Sequence, residues 1–185
     1  MEQFKRYAIY YAPRAGAFAD CAAAWLGRDC AGADVAQPAL DGLPLALADL
    51  TEAPRRYGFH GTIKPPFALA DGAGFDDLDR ELAALAARLA VVEFAGLTLE
   101  RIGGFLALVP LGDPAELLVL GAVVVESLDR FRAPLTAADR TRRRPERLTA
   151  RQVGLLDRWG YPYVMEEFRF HLTLTGDLAP DVAEA

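Results

Sequence analysis

Residues 57–67 read YGFHGTIKPPF, and residues 168–176 read FRFHLTLTG. These two segments contain both histidines of the 185-residue chain, and each histidine follows a phenylalanine and precedes a threonine by two positions. With eight threonines in the chain, chance places Thr two positions after both histidines with a probability of about 0.002, the square of 8/185. The repeat therefore indicates that the two segments have related roles.

The spacing of His60 and Thr62, and of His171 and Thr173, points to phosphate chemistry. Side chains alternate along a strand, so His and Thr at i and i+2 share one face, roughly 6.5 Å apart. On facing strands, one imidazole can deprotonate an attacking water while the other protonates the leaving oxygen of a phosphodiester. Imidazole suits both roles because its pKa lies near neutrality. The threonine hydroxyls are predicted to hold the non-bridging oxygens, and the sequence leaves open which histidine is the base.

The remaining pattern favours an α+β fold with antiparallel sheet, because helices and hairpins alternate along the chain. Strands are predicted at 6–12, 58–64 (closed by Pro65-Pro66), 92–101, 105–111 and 163–175, with a hairpin across Gly103-Gly104. Helices are predicted at 15–26, 75–89, 114–131 and 149–159. Residues 31–54 are predicted to be a long connection, and the tail after Gly176 is predicted to be frayed.

Charge and hydropathy exclude several classes of protein. The net charge of −6, from 26 acidic and 20 basic residues, argues against a DNA or duplex RNA partner but permits a small phosphorylated substrate in a local basic pocket. No apolar run is long enough for a membrane span or a secretion signal, so we expect a cytoplasmic protein. Cys21 and Cys30 fit no usual zinc spacing and are predicted to be buried or incidental thiols.

The two histidine segments resemble the paired H-x-T motifs of the 2H phosphoesterase superfamily, which includes the 2′-5′ RNA ligase-like proteins and the cyclic phosphodiesterases. Residues 25–29, 142–149 and 159–163 are similar to a bacterial family often found beside phosphonate-utilisation genes. The resemblance covers most of the chain. It departs at Gly61, where many relatives have an aliphatic or aromatic residue. Because position 61 should face away from the groove, we expect little consequence.

The resemblance implies a fold and an activity. The expected fold is one domain, residues 1–185, of two pseudo-symmetric lobes without a linear boundary. In it, two antiparallel sheets flank a central groove, with helices on the outside. The implied activity is metal-independent and cofactor-free hydrolysis of a 2′,3′-cyclic nucleotide or cyclic ribose phosphate, in the setting of phosphonate metabolism. A metal would also compete for the imidazoles that the acid–base reaction needs.

Further side chains are predicted to contact the substrate. Lys64 shares the face of His60 and Arg169 that of His171, so both are candidates for the phosphate. The alternatives are a solvated lysine and an ion pair of Arg169 with Glu166 or Glu167. Additional candidate contacts are Tyr7, Tyr57, Arg143, Arg147 and Thr175. For Tyr7 and the Tyr10-Tyr11 pair the alternative is a packing role. For the arginines of 140–151 the alternative is a solvated helical face or a weak nucleic-acid patch.

The predicted function is therefore a hydrolase that opens a cyclic phosphodiester to a phosphomonoester. Three alternatives stay open at this point. An RNA end-joining ligase runs related chemistry in reverse, although the acidic balance argues against a long RNA partner. A non-catalytic module would use the same residues to bind a phosphorylated metabolite, and a structural protein would contain two incidental histidines.

Overall fold

The computed structural model describes residues 6–184 and confirms an α+β fold. Within this range, five strands form one sheet in the order β1-β2-β5-β4-β3, accompanied by eight α-helices. The strands are β1 (Tyr7–Tyr11), β2 (Gly61–Phe67), β3 (Leu97–Ile102), β4 (Phe105–Pro110) and β5 (Leu172–Thr173). The helices are α1 (Ala17–Leu26), α2 (Leu47–Leu50), α3 (Glu52–Arg55), α4 (Phe75–Ala86), α5 (Ala115–Ser127), α6 (Ala137–Arg142), α7 (Ala150–Trp159) and α8 (Pro180–Glu184).

The chain divides into two compact units, each assembled from separate segments. Among the described residues, the first unit contains 6–9, Thr62–Glu93 and Asp113–Arg169. The second contains Tyr10–Gly61, Phe94–Gly112 and 170–184. Both histidines, His60 and His171, therefore belong to the second unit.

Helix α5 forms the centre of the first unit. Its residue Val125 packs with Leu155 of α7 and with Val164 in a buried cluster. Helix α7 is closed at both ends as its sequence predicts: Thr149 and Gln152 form a capping box, and Gly160 ends the helix in the left-handed conformation.

The second unit is built on the β3–β4 hairpin and β5. The hairpin pairs Ile102 with Phe105 next to its turn, which confirms the predicted turn at Gly103-Gly104. Strand β4 also pairs with β5 through Ala107↔Thr173. Strand β5 in turn pairs antiparallel with β2 through Gly61↔Leu172. This last pairing places the two histidine segments side by side.

Several predicted boundaries are wrong. Strand β2 continues through Pro65-Pro66, because proline can extend a strand wherever its missing N–H is not needed by a neighbour. Strand β3 begins at Leu97 rather than at 92, where its partner strand ends in Pro110. The predicted strand 163–175 shrinks to two residues, because a 3-10 turn at Met165–Glu167, with Met165 at a φ of 56°, interrupts it.

Other differences concern the helices and the sheet count. The predicted helix 114–131 ends at Ser127 and is followed by a 3-10 turn, Asp129–Phe131. The tail, predicted to be frayed, forms α8 from Pro180. Over residues 6–184 the strands form a single sheet, so the implied second sheet is not found in this range. Both cysteines are exposed rather than buried.

Candidate active site

His60 lies directly before β2, and a backbone hydrogen bond fixes the state of its ring. Its Nδ1 atom lies 2.9 Å from the carbonyl oxygen of Gly58. A carbonyl oxygen only accepts hydrogen bonds, so Nδ1 donates its hydrogen. In the neutral imidazole this leaves the lone pair on Nε2. The Nε2 atom of His60 is therefore the one that can take a proton.

Gly58 holds this carbonyl in place through a conformation that favours glycine. Its φ is +71°, in the left-handed region. A Cβ atom at this position would lie 2.6 Å from the carbonyl oxygen of Asp29 and 3.1 Å from Cα of Cys30. Since both of those atoms belong to the backbone, they cannot rotate away. The ring of His60 thus depends on a glycine two residues earlier.

We expect Gly58→Ala to lower kcat about tenfold with a smaller effect on KM, because the carbonyl that orients His60 must move. Strain at positive φ should also lower the free energy of unfolding by about 1–3 kcal/mol. Gly42→Ala is the matched control, because Gly42 has a φ of +84° with nothing within 4 Å of the added Cβ. Equal losses of kcat in the two variants would show that Gly58 does not position His60.

His171 comes close to His60 through the register of β2 and β5. The pair Gly61↔Leu172 places His60 opposite Thr173 when the antiparallel register is extended by one residue. His171 then lies diagonally from His60 on the same face, and such diagonal residues are about 7–8 Å apart in the backbone. Both imidazoles are half-buried. Two imidazole rings therefore lie on one face of the sheet, within reach of one small group.

The pKa of His60 is lowered from the ordinary 6.5. Burial is the largest cause, because it disfavours the charged ring. The hydrogen bond to the Gly58 carbonyl acts in the opposite direction, and the positive charge of His171 lowers the pKa further. His60 is consequently neutral at pH 7, the state that a general base requires.

Aromatic rings surround the two histidines. The ring of Tyr10 lies 3.9 Å from the His60 ring, and that of Tyr57 lies 6.3 Å away in an edge-on arrangement. Burial, and secondarily Tyr57, raises the pKa of the Tyr10 phenol, which stays protonated. Phe105 lies 5.6 Å from His171. Tyr57, with 67% of its surface exposed, can stack with the sugar or base of a ligand.

The threonines of the two motifs differ in what the structure shows of them. Thr173 is half-buried in β5, in the second unit. Thr62 is half-buried in β2 and belongs to the first unit, so its role in phosphate binding stays a prediction from its spacing to His60. The hydroxyl of Thr175 is 2.9 Å from both the Leu106 N–H, from which it accepts, and the Gly176 carbonyl, to which it donates. Thr175 is buried, and these bonds indicate a structural role rather than the predicted substrate contact.

A family model described as "Protein of unknown function (DUF1045)" matches residues 62–185. The chain belongs to this DUF1045 family. The matched region includes His171 and Thr173, and it begins two residues after His60. No solved structure matches the chain.

Curated relatives resemble nearly the whole chain. A protein of Janthinobacterium sp. (strain Marseille) named ribose 1,5-bisphosphate phosphokinase PhnN is 39% identical over 180 residues, 96% of this chain and 40% of the relative. A protein of the same name from Laribacter hongkongensis (strain HLHK9) is 42% identical over 177 residues, 94% of this chain and 40% of the relative. This DUF1045-family chain thus spans about two fifths of the relatives' length.

The two basic residues predicted to hold phosphate lie in the first unit. Lys64 is 2% exposed, so the alternative of a solvated lysine is wrong. Its Nζ atom donates to the Val125 carbonyl at 3.1 Å and lies 3.6 Å from the Asp129 carboxylate. Arg169 is exposed, and its assignment to the phosphate stays a prediction. The histidine site described above consists of residues of the second unit and therefore contains neither Lys64 nor Arg169.

The other predicted substrate contacts also lie in the first unit. The ring of Tyr7 stacks on Phe75 with 5.8 Å between centroids, which is the packing role left open by the sequence. The guanidinium of Arg143 lies 4.6 Å from the centre of the Tyr161 ring. Arg147 is exposed in a 3-10 turn. Substrate contact by Tyr7, Arg143 or Arg147 stays a prediction.

The described residues contain neither a metal-binding cluster nor a helix that could span a membrane. Between residues 6 and 184, no group of three or more His, Cys, Asp or Glu side chains is arranged to hold a metal ion. Within the same residues, no helix has the length and apolar character needed to cross a bilayer. Sequence reasoning missed Phe105, which belongs to no motif. It also missed the role of Gly58, although Gly58 lies within the first histidine segment and the sharp Tyr-Gly-Phe turn before His60 was the available signal.

Proposed function

We propose that this DUF1045-family protein is a phosphoesterase of the 2H type that opens a cyclic phosphodiester to a phosphomonoester. The observation that supports it is that His60 and His171 lie diagonally on one face of the sheet. In addition, His60 is neutral and its Nε2 atom can accept a proton. These features support His60 as the base, a choice that the sequence left open. His60 is the general base and His171 is the general acid.

In the proposed reaction, a water molecule is aligned between Nε2 of His60 and the phosphorus of the cyclic ester. Nε2 takes a proton as the water oxygen forms the new P–O bond. The opposite P–O bond of the ring breaks, and protonated His171 gives its proton to the departing alkoxide. The hydroxyl of Thr173 holds a non-bridging oxygen, where negative charge grows. From its spacing to His60 in the sequence, Thr62 is proposed for the same role. The products are a phosphomonoester and a free hydroxyl on the same molecule.

A phosphorylated ribose is the substrate class that we favour. The curated relatives have ribose 1,5-bisphosphate in their name, and this supports a cyclic ribose phosphate and a setting in phosphonate metabolism. We do not propose their phosphokinase activity for this chain, which spans two fifths of their length. The sequence also lacks the G-x-x-x-x-G-K-[ST] loop that cradles nucleotide phosphates, since its two lysines, Lys5 and Lys64, follow Phe4 and Ile63.

Phosphorus NMR tests this function. The protein is incubated in EDTA with nucleoside 2′,3′-cyclic phosphates and ribose 1,2-cyclic phosphate, beside the His171→Ala variant. We expect a phosphomonoester signal with the wild type alone. RNA halves with 2′,3′-cyclic ends test the ligase alternative, which would give a joined product on a gel. Binding of cyclic phosphates without turnover would instead support the non-catalytic module.

The acid–base assignment predicts a bell-shaped pH dependence of kcat/KM. Activity falls on the acid side as His60 gains a proton, with a midpoint below 6.5 because the pKa of His60 is lowered. It falls on the alkaline side as the acid loses its proton. A rate that is constant from pH 5 to 9 would contradict the paired roles.

A second measurement checks the coupling of the two rings without turnover. In His171→Asn, His60 is the one histidine left in the chain, so its NMR titration needs no further assignment. Removing the positive charge of His171 should raise the pKa of His60 relative to the wild type. An unchanged pKa would show that the two imidazoles do not sense each other.

A further inference from the structure

A concentration of positive charge lines a pocket in the first unit. The pocket contains none of the residues of the histidine site. Its cationic lining residues are Arg6, Lys64, Arg132, Arg142 and Arg143. Its single acidic lining residue is Asp139, and the ring of Trp159 forms part of the wall. The whole chain has a net charge of −6, so its composition does not explain this cluster of positive charge.

At the inner end of the pocket, two cations share one carboxylate. The guanidinium of Arg132 binds Asp129 through two nitrogens, at 2.7 and 3.1 Å. The ammonium of Lys64 lies 3.6 Å from the same carboxylate. Burial lowers the pKa of Lys64 to about 8, with Asp129 acting in the opposite direction, so the amine is charged at neutral pH. The buried end of the pocket thus has more positive than negative charge.

At the outer end the pattern repeats. Arg6 and Arg142 share the carboxylate of Asp139, at 2.5 and 3.4 Å. Arg143 has the face of Tyr161 as its neighbour, 4.6 Å away, instead of a carboxylate. Among the described residues, five cations therefore meet two carboxylates around this pocket. The surplus favours an anion with more than one charge.

One of the five cations also has a structural explanation. Val125 lies in the last turn of α5, where carbonyl groups lack helical partners, and Lys64 donates to it. This contact accounts for the buried amine but not for Arg142 and Arg143 at the outer end. At that end Arg6, Arg142 and Arg143 face the single carboxylate of Asp139, so a bound anion would reduce the repulsion among the three guanidinium groups.

The size of the pocket limits what that ligand is. Its cavity volume is about 50 Å³, far below the roughly 300–1,000 Å³ of a pocket that encloses a drug-sized ligand, so it suits a small anionic group. Arginine binds such groups through two parallel N–H donors.

We propose that this pocket binds a phosphoryl group, either as inorganic phosphate or as the end of a small phosphomonoester. The inner cations, Lys64 and Arg132, attract the group, and Arg142 and Arg143 close around its outer oxygens. This binding site is separate from the proposed phosphoesterase reaction, and it stands or falls without it.

Isothermal titration calorimetry with inorganic phosphate and with ribose 5-phosphate tests the pocket. The informative variant is Arg142→Gln/Arg143→Gln, which removes two charges at the outer end. The matched control is Arg144→Gln/Arg151→Gln, which removes two exposed charges of the same arginine-rich stretch that do not line the pocket. We expect saturable binding by the wild type and the control, and at least tenfold weaker binding by Arg142→Gln/Arg143→Gln.

Three results would overturn the proposal. They are no saturable binding by the wild type, equal weakening in both double variants, and loss of binding in His171→Ala. The last would place the phosphate at the histidines instead. Tighter binding of ribose 5-phosphate than of inorganic phosphate identifies a phosphomonoester as the ligand, and the reverse order identifies the free anion.

Discussion

Replacing either His60 or His171 by alanine should lower kcat/KM for a cyclic phosphate by about 10²- to 10⁴-fold, the range for loss of one general acid or base. KM should change far less, because in the proposed reaction the imidazoles move protons while Thr173 and the neighbouring rings bind the substrate. Steady-state kinetics with a ribose cyclic phosphate provide the measurement. Circular dichroism and thermal unfolding of each variant show whether the fold is retained.

The double variant separates a joint role from two independent ones. If the two rings act in one proton-transfer sequence, His60→Ala/His171→Ala should be little worse than either single variant.

Thr173→Val should lower kcat/KM by a smaller factor, and Thr98→Val in β3 is its matched control outside the motif. Full activity in either histidine variant would refute the proposed reaction, and unchanged ligand affinity with no wild-type turnover would support the binding module.

Gly61→Ala should lower the free energy of unfolding by about 1–3 kcal/mol, a typical cost of overpacking. A Cβ atom at Gly61 would lie 2.5 Å from the ring of Phe170 and 3.2 Å from Leu172. Phe170 is buried and lies edge-on to Tyr11 at 5.9 Å, so its ring has little room to move. Because His171 is the next residue, kcat should fall as well. Chemical denaturation and steady-state kinetics measure the two effects.

A control and a rescue test the cause of that loss. Gly96→Ala adds a Cβ whose nearest neighbour, Leu111, lies at an ordinary 3.5 Å, so it should cost much less. In the Gly61→Ala background, Phe170→Leu should recover part of the stability, since the smaller side chain makes room. A Gly61→Ala variant as stable as the wild type would contradict the contact with Phe170. Substitution at Gly61 was expected to have little consequence because the position faces away from the groove. On that other side, however, Gly61 packs against the buried ring of Phe170.

Local signals in the sequence predicted the longer helices α1, α4, α5 and α7, because their ends are encoded by nearby residues, but not the short helices α2, α3, α6 and α8. The capping box at Thr149 and the left-handed Gly160 are interactions within a few positions of one another. The β3–β4 hairpin was equally readable, since its two glycines join two apolar runs. Strand β5 was not, because a strand needs partners from distant parts of the chain, and alternation over 163–175 continued where no partner pairs with it.

The candidate site divides in the same way. The repeated histidine and threonine spacing was visible in the sequence, since it depends only on strand alternation. The partners of Lys64 could not be predicted from the sequence. Its position at i+4 from His60 suggested a phosphate contact, but in the structure its ammonium group interacts with the Val125 carbonyl and the Asp129 carboxylate. The neighbours of a long, flexible side chain are set by packing among distant segments, which spacing does not describe.

By itself, the sequence determined the α+β class and the longer helices, and it singled out the two histidines on which the proposed chemistry depends. Tertiary structure decided the protonation state of His60, because the Gly58 carbonyl, the burial of the ring and the charge of His171 together set it, and this state supports the proposed role of His60 as the base. It also decided that Gly61 must be small. A motif specifies which groups are present, but the state of each group depends on the atoms that folding brings around it.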